Sequence, residues 1–138
     1  MSEKDVDIVR RVYAASARRD SRMVLSLYDP DVEWDMSAHP MSQMLQRQTL
    51  SRGHDQLRSW FHEWYEMFED FEHTCEELID AGGHTVVSVG TDRGRGRGSG
   101  VEVARLIAGV WTIRDGRIAR VVWYPTREQA LEAAALSA

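Results

Sequence analysis

After Phe71 the hydrophobic pattern of this 138-residue chain changes its period, and that change constrains the fold more than any other feature. Before it, apolar residues recur at helical spacing. After it they alternate with polar ones, the period of two that a half-buried strand requires. Strong turn signals punctuate the second half. Ala81-Gly82-Gly83-His84 separates two strand-like runs, and Arg114-Asp115-Gly116-Arg117 separates two more. Asp-Gly is a favoured pair in two-residue hairpins because such turns need positive φ.

The first half reads as helices. Val6, Val9, Val12, Tyr13 and Ala17 share a face opposite Asp7, Arg10, Arg11 and Arg18, which predicts a helix from Asp5 to Ala17. Asp20 or Ser21 can cap a second short helix through Met23, Val24 and Leu27. Asp29-Pro30-Asp31 ends it, since the residue before proline avoids the helical region. Val32 to Met36 reads as a short strand. Ser37 to Arg52 is polar, Met-rich and aperiodic, the pattern of a loop over a cavity mouth. Gly53-His54-Asp55 opens a third helix carrying Leu57, Trp60, Phe61, Trp64, Tyr65 and Phe68, and Thr126 to Leu136 closes the chain as a helix behind Pro125. The expectation is a single α+β domain over residues 1–138, its helices segregated onto one face of a curved sheet.

Composition narrows the function classes. A net charge of -5 supplies no positive field for DNA or RNA. One cysteine, Cys75, excludes an intramolecular disulfide and suits a reducing compartment. The amino-terminal MSEKDVDIVRR has no apolar signal core, and no apolar run approaches the roughly 20 residues of a membrane span, so a cytoplasmic chain without membrane contact is expected. The stretch TDRGRGRGSGVEV resembles an RNA-gripping tract only superficially. It contains no aromatic and lies between two good strands, so it reads as a hairpin turning at Gly98-Ser99. That register sets Arg97 opposite Gly100, Arg95 opposite Glu102 and Asp92 opposite Arg105.

The runs VRRVYAASARRD, LYDPDVEWD, RGHDQLRSWF, EELIDAGGHTVVSVGTDRGRG and GVWTIRDGRIARVVWYPTREQALEAAAL together resemble the nuclear-transport-factor-2-like superfamily, its SnoaL-like branch most closely. The resemblance covers almost the whole chain. It implies a cone: a strongly curved antiparallel sheet around an internal pocket closed by the amino-terminal helices. The superfamily spans ketosteroid isomerases, polyketide cyclases, dehydratases, epoxide hydrolases and non-enzymatic binding proteins, so fold alone does not supply function.

By that resemblance Asp35, ending the first strand, is the candidate acid/base, since burial in an apolar cavity raises a carboxyl pKa toward neutrality. The isomerase pattern also needs a phenol on the first helix and a protonated carboxyl on a late strand. Alignment on Asp20 puts Val12, not Tyr13, at the first position and Ala108 or Gly109 at the second, which disfavours steroid isomerisation. An epoxide hydrolase would need an arginine between two aspartates, for which Arg105, Asp92 and Asp35 are the available residues. A polyketide cyclase needs mainly one acid/base in an apolar cavity. His39, in the loop before Pro40, is a second catalytic candidate. Tyr13, Trp34, Met36, Trp60, Trp64, Arg105, Trp111 and Trp123 are the candidate pocket residues. The five histidines show no metal-ligand spacing, and no Walker loop, dinucleotide fingerprint or nucleophile elbow occurs, so neither metal nor cofactor is expected. A homodimer and a small apolar ligand are the expected partners. Two readings stay open: an acid/base enzyme acting on a cyclic carbonyl compound, or a non-catalytic ligand-binding or interaction module.

Overall fold

The computed structural model describes residues 3–42 and 49–137. Among the described residues four helices and six strands run α1 (Glu3–Ala17), α2 (Ser21–Ser26), β1 (Tyr28–Asp35), β2 (Leu50–Arg52), α3 (Gly53–Met67), β3 (Phe68–Gly82), β4 (Thr85–Gly96), β5 (Glu102–Arg114), β6 (Arg117–Tyr124) and α4 (Arg127–Ser137). The strands form one open sheet in the order β2-β1-β6-β5-β4-β3. The α+β class stands, with one refinement. From β3 to β6 the sheet is an antiparallel meander, but β1 lies parallel to β6, so the sheet is mixed. A strand that returns through helix and sheet, as β1 does, is free to join in parallel, whereas hairpin neighbours are not.

Local chemistry sets the element boundaries. Asp20 caps α2 by accepting the Met23 N–H at 3.1 Å, and Thr126 Oγ1 does the same for α4 with Gln129 N–H at 3.1 Å. Pro30 does not stop β1. It sits where the β1–β6 register shifts between Tyr28 and Glu33, a place where a missing ladder donor is tolerated. The Asp115-Gly116 turn has φ of 53° and 77°, as the sequence pair demands. β3 begins three residues before the period visibly changes, because a register shift between Glu69 and Glu72, with Asp70 at φ 52°, hides the alternation. The centre of the predicted loop, residues 43–48, lies outside the described residues.

The arginine–glycine stretch is a hairpin, with Arg95 opposite Glu102 and Asp92 opposite Arg105. Its turn is longer than two residues. Gly96 N–H reaches Val101 O at 2.8 Å, and Gly98 and Gly100 hold φ of 91° and 71°. Arg97 therefore does not face Gly100. Its backbone N–H donates to Met67 O at 2.9 Å, and its guanidinium donates to Glu66 O at 2.9 Å and Phe68 O at 3.0 Å. These carbonyls at the end of α3 have no partner within the helix, and a cation there also meets the negative end of the helix dipole.

Each sheet face carries its own core. On one, α1 and α3 bury Val9, Val12, Leu57, Trp60 and Trp64 against Val86, Ile107, Trp111, Val121 and Trp123. On the other, Ala130 and Ala134 of α4 press on Val87, Val89, Ala108 and Val110. Strand alternation deals the residues between the two faces.

Candidate active site

Between α1, α3 and the inner sheet face lies a cavity of about 60 Å³, walled almost entirely by aromatic and aliphatic side chains. At roughly 10–15 Å³ per water, that admits several waters. The aromatic wall is continuous. Trp34 touches Trp60 and Trp123 with ring centroids 5.0 and 5.4 Å apart, Trp60 stacks on Trp64 at 5.0 Å, and Trp111 meets Trp123 edge-on at 5.5 Å.

A chain of polar groups crosses this wall. Trp111 Nε1 donates to Ser88 Oγ at 2.8 Å; Ser88 Oγ lies 3.0 Å from the Tyr13 hydroxyl; that hydroxyl lies 3.0 Å from His73 Nε2. His73 Nδ1 then binds Asp92 Oδ1. The other Asp92 oxygen faces His39 Nε2 at 3.9 Å. Asp92, His39, His73 and Tyr13 all line the cavity. The Asp92 and His39 side chains are 8% and 3% exposed, so the carboxylate and one imidazole are held away from solvent.

The chain can be satisfied in two directions. With Tyr13 donating to Ser88, His73 Nε2 donates to Tyr13 and Nδ1 donates to Asp92, so the ring carries both protons. With Ser88 donating to Tyr13, the phenol donates to Nε2 and the ring is neutral. The two differ by one proton, so passing between them takes the gain or loss of a proton as well as rotation of the two hydroxyls.

His39 is fixed differently. Its Nδ1 accepts the Met41 backbone N–H at 3.0 Å, so its ring proton sits on Nε2 and points toward Asp92. Burial works to raise the Asp92 pKa, but the imidazoles of His39 and His73 outweigh it and hold the carboxyl below its ordinary value. Burial pushes the Tyr13 phenol well above its usual range, opposed in part by its bond to Ser88. The phenol thus stays protonated at neutral pH.

Tyr13, Trp34, Met36, His39, Trp60, Trp64, Trp111 and Trp123 of the sequence-predicted residues line the cavity, and two do not. Asp35 lies between Trp34 and Met36 on β1, so alternation turns it away from the cavity that both neighbours line. Its Oδ1 accepts the Ser37 N–H at 2.8 Å and its Oδ2 is 3.8 Å from Arg120. Arg105 is the register partner of Asp92, yet its side chain is exposed, and Asp92 is engaged by imidazoles instead. The arginine between two aspartates expected of an epoxide hydrolase is not assembled.

Sequence reasoning did not assign His73 and Ser88, and gave Asp92 only a place in that arginine set. A signal for them existed. Val86, Ser88, Gly90, Asp92 and Gly94 form the even face of β4, opposite the arginine face, and His73 is the cross-strand partner of Asp92. Among the described residues no cluster of His, Cys, Asp and Glu is arranged to hold a metal ion.

The chain matches the SnoaL-like domain family over residues 9–121, and it belongs to that family. An NTF2-like protein from Burkholderia thailandensis superposes with a TM-score of 0.77 at 28% identity, over 96% of each chain. TerC, crystallised with polyporic acid, superposes with a TM-score of 0.73 at 21% identity, over 94% of this chain and 99% of TerC. A protein of ketosteroid isomerase-like fold from Catenulispora acidiphila, in complex with trimethylamine, gives 0.71 at 18% identity, over 92% of this chain and 91% of that one. No curated protein matches the sequence.

Proposed function

We propose that this SnoaL-like chain is an acid/base enzyme acting on a small, largely apolar ring compound, in a cyclisation, isomerisation or dehydration. The observation that carries this reading is a buried carboxylate, Asp92, held between two imidazoles in an aromatic cavity. Burying an ionised carboxyl among tryptophans is costly unless it is paired, and such placements concentrate where proton transfer is performed. A site built only to bind an apolar ring gains nothing from it.

The relay works in both senses. In the neutral state, a proton leaving a ligand carbon is taken by the Tyr13 oxygen as the phenol's own proton passes to His73 Nε2. The imidazolium that forms rests against Asp92. In the doubly protonated state, Tyr13 gives its proton to a ligand oxygen and recovers one from His73 Nε2. Proton count is conserved in each direction, and the electron pair left on the ligand by deprotonation moves onto a ligand carbonyl oxygen.

The test is deuterium exchange at carbons adjacent to the carbonyl of small cyclic ketones in D2O, followed by NMR. Wild type is expected to accelerate exchange, and Asp92→Asn and Tyr13→Phe to lose about 10²-fold or more while still binding the ketone. Variants that bind and exchange as wild type does would remove the relay from the mechanism. Binding without acceleration by wild type would leave a non-catalytic ligand carrier.

A further inference from the structure

A second cavity, of about 360 Å³, lies between α1, α2 and α3. Ser16, Phe61 and Tyr65 belong to its wall and to that of the inner cavity, so these three side chains form a shared partition. The outer volume falls in the range of small-molecule sites, whereas the inner one, about 60 Å³, has room for only part of a ring compound. Arg58, Phe61, His62 and Tyr65 recur at helical spacing, so α3 presents one face to the outer cavity. From α2 come the apolar side chains of Val24 and Leu25.

The charge in this lining is independent of its shape. Arg19 turns the chain from α1 to α2 at φ 59°, a conformation uncommon for residues other than glycine. Its guanidinium stands 4.3 Å over the Tyr65 ring and donates to Phe71 O at 2.8 Å, partners that fix its direction without neutralising it. Arg58 donates to Asp55 at 2.9 Å, but that carboxylate is 98% exposed, and such surface pairs contribute little. His62 faces Glu66 at 3.3 Å. Asp20, the carboxylate in the lining among the described residues, is engaged in capping α2. Two guanidiniums thus stand beside apolar side chains, on a chain whose net charge is -5. Arginine's planar fork matches a carboxylate, so this combination suits an apolar anion.

We propose that the outer cavity is a binding site for an apolar carboxylate of about two fused rings. Its carboxylate sits on Arg19, its rings lie over Phe61 and Leu25, and Arg58 adds positive charge at the rim. The site stands whether or not the relay turns over. That its occupant is the relay's substrate rests on the acid/base reading, and then only the reacting edge passes Ser16, Phe61 and Tyr65 into the inner cavity.

Calorimetry on the full chain with 2-naphthoate and its neutral isostere 2-naphthamide, at low and at high salt, tests the site. Wild type is expected to bind the naphthoate about tenfold more tightly at low salt, a preference that shrinks as salt screens it. Arg19→Met, which keeps a long side chain beside Tyr65, should remove the preference. Arg58→Gln, on the exposed surface of α3, should weaken naphthoate binding about threefold and keeps the test open should Arg19→Met not fold. Arg22→Gln, which takes the same charge from outside the lining, should leave it unchanged. Equal or absent binding of the two ligands by wild type, or equal losses from Arg58→Gln and Arg22→Gln, overturns the site and leaves the acid/base reading, tested on neutral ketones, standing. Absent exchange in those ketones with naphthoate still preferred supports the site and overturns the relay.

Discussion

Asp92 owes its ionised state to its neighbours, and that gives its folded form a pH signature. Its carboxyl titrates below the ordinary value near 4, so the folded chain releases the proton more readily than the unfolded chain does. The stabilisation is fully present above the unfolded pKa and is lost as pH falls through the folded one. Urea midpoints of wild type and Asp92→Asn should therefore differ at pH 6 and converge toward pH 3. A difference unchanged over that interval would show that the imidazoles do not hold the carboxylate. The same neighbourhood explains Gly109. A Cβ there would stand 2.8 Å from Trp123, 2.9 Å from Trp111 Nε1 and 3.0 Å from Ser88 Oγ, so the Trp111–Ser88 bond needs a residue with no side chain beside it. Asp92 and Ser88 were legible as inward members of a period-two run. Their chemistry was not, because His73 and Tyr13 reach them from 19 and 75 residues away in the chain.

Elements were read well where the signal is local. The Asp-Gly and Gly-Gly turns, the Asp20 cap and the start of α3 at Gly53 depend on residues within one turn of each other, and all occur at those places. Elements that settle against a distant partner were read less well. The turn after Gly96 opens beyond two residues because Arg97 is recruited by the end of α3. That contact yields a prediction. Arg97→Ala removes the guanidinium from the Glu66 and Phe68 carbonyls and should lower stability by about 0.5–1.5 kcal/mol, read from urea unfolding. Arg93→Ala, on the same exposed face of β4, should stay within about 0.5 kcal/mol. Equal effects at the two positions would mean that Arg97 is only a surface charge.

At the scale of the whole molecule, one sheet separates two cores with different work. The inner face holds the cavity and the polar chain; the outer face is sealed by α4 through Ala130 and Ala134, 0% and 1% exposed. Because Ala130 meets close-packed Val87, Val89, Ala108 and Val110, Ala130→Leu should cost about 1–3 kcal/mol by overpacking. Exchange into small cyclic ketones should be unchanged, since the sheet lies between helix and cavity. A parallel loss of exchange would show that the two faces are mechanically coupled. Glu132→Leu, on the exposed side of α4, serves as the neutral control.

Periodicity, turn residues and caps act over a few bonds, so the sequence by itself determined the helices, the meander, the α+β class and an aromatic inner wall. It also placed Trp34 and Met36 on one face of β1, which by the same alternation turns Asp35 to the other. The parallel seating of β1 beside β6 was a tertiary decision, as was the convergence of Tyr13, His39, His73 and Asp92 on one cavity, with Ser88 bonded to Tyr13. Those groups come from α1, the loop after β1, β3 and β4, and no local rule relates their spacing. Burial and geometry become properties of a side chain only when distant segments close around it, and they are what turn an aspartate into a held carboxylate.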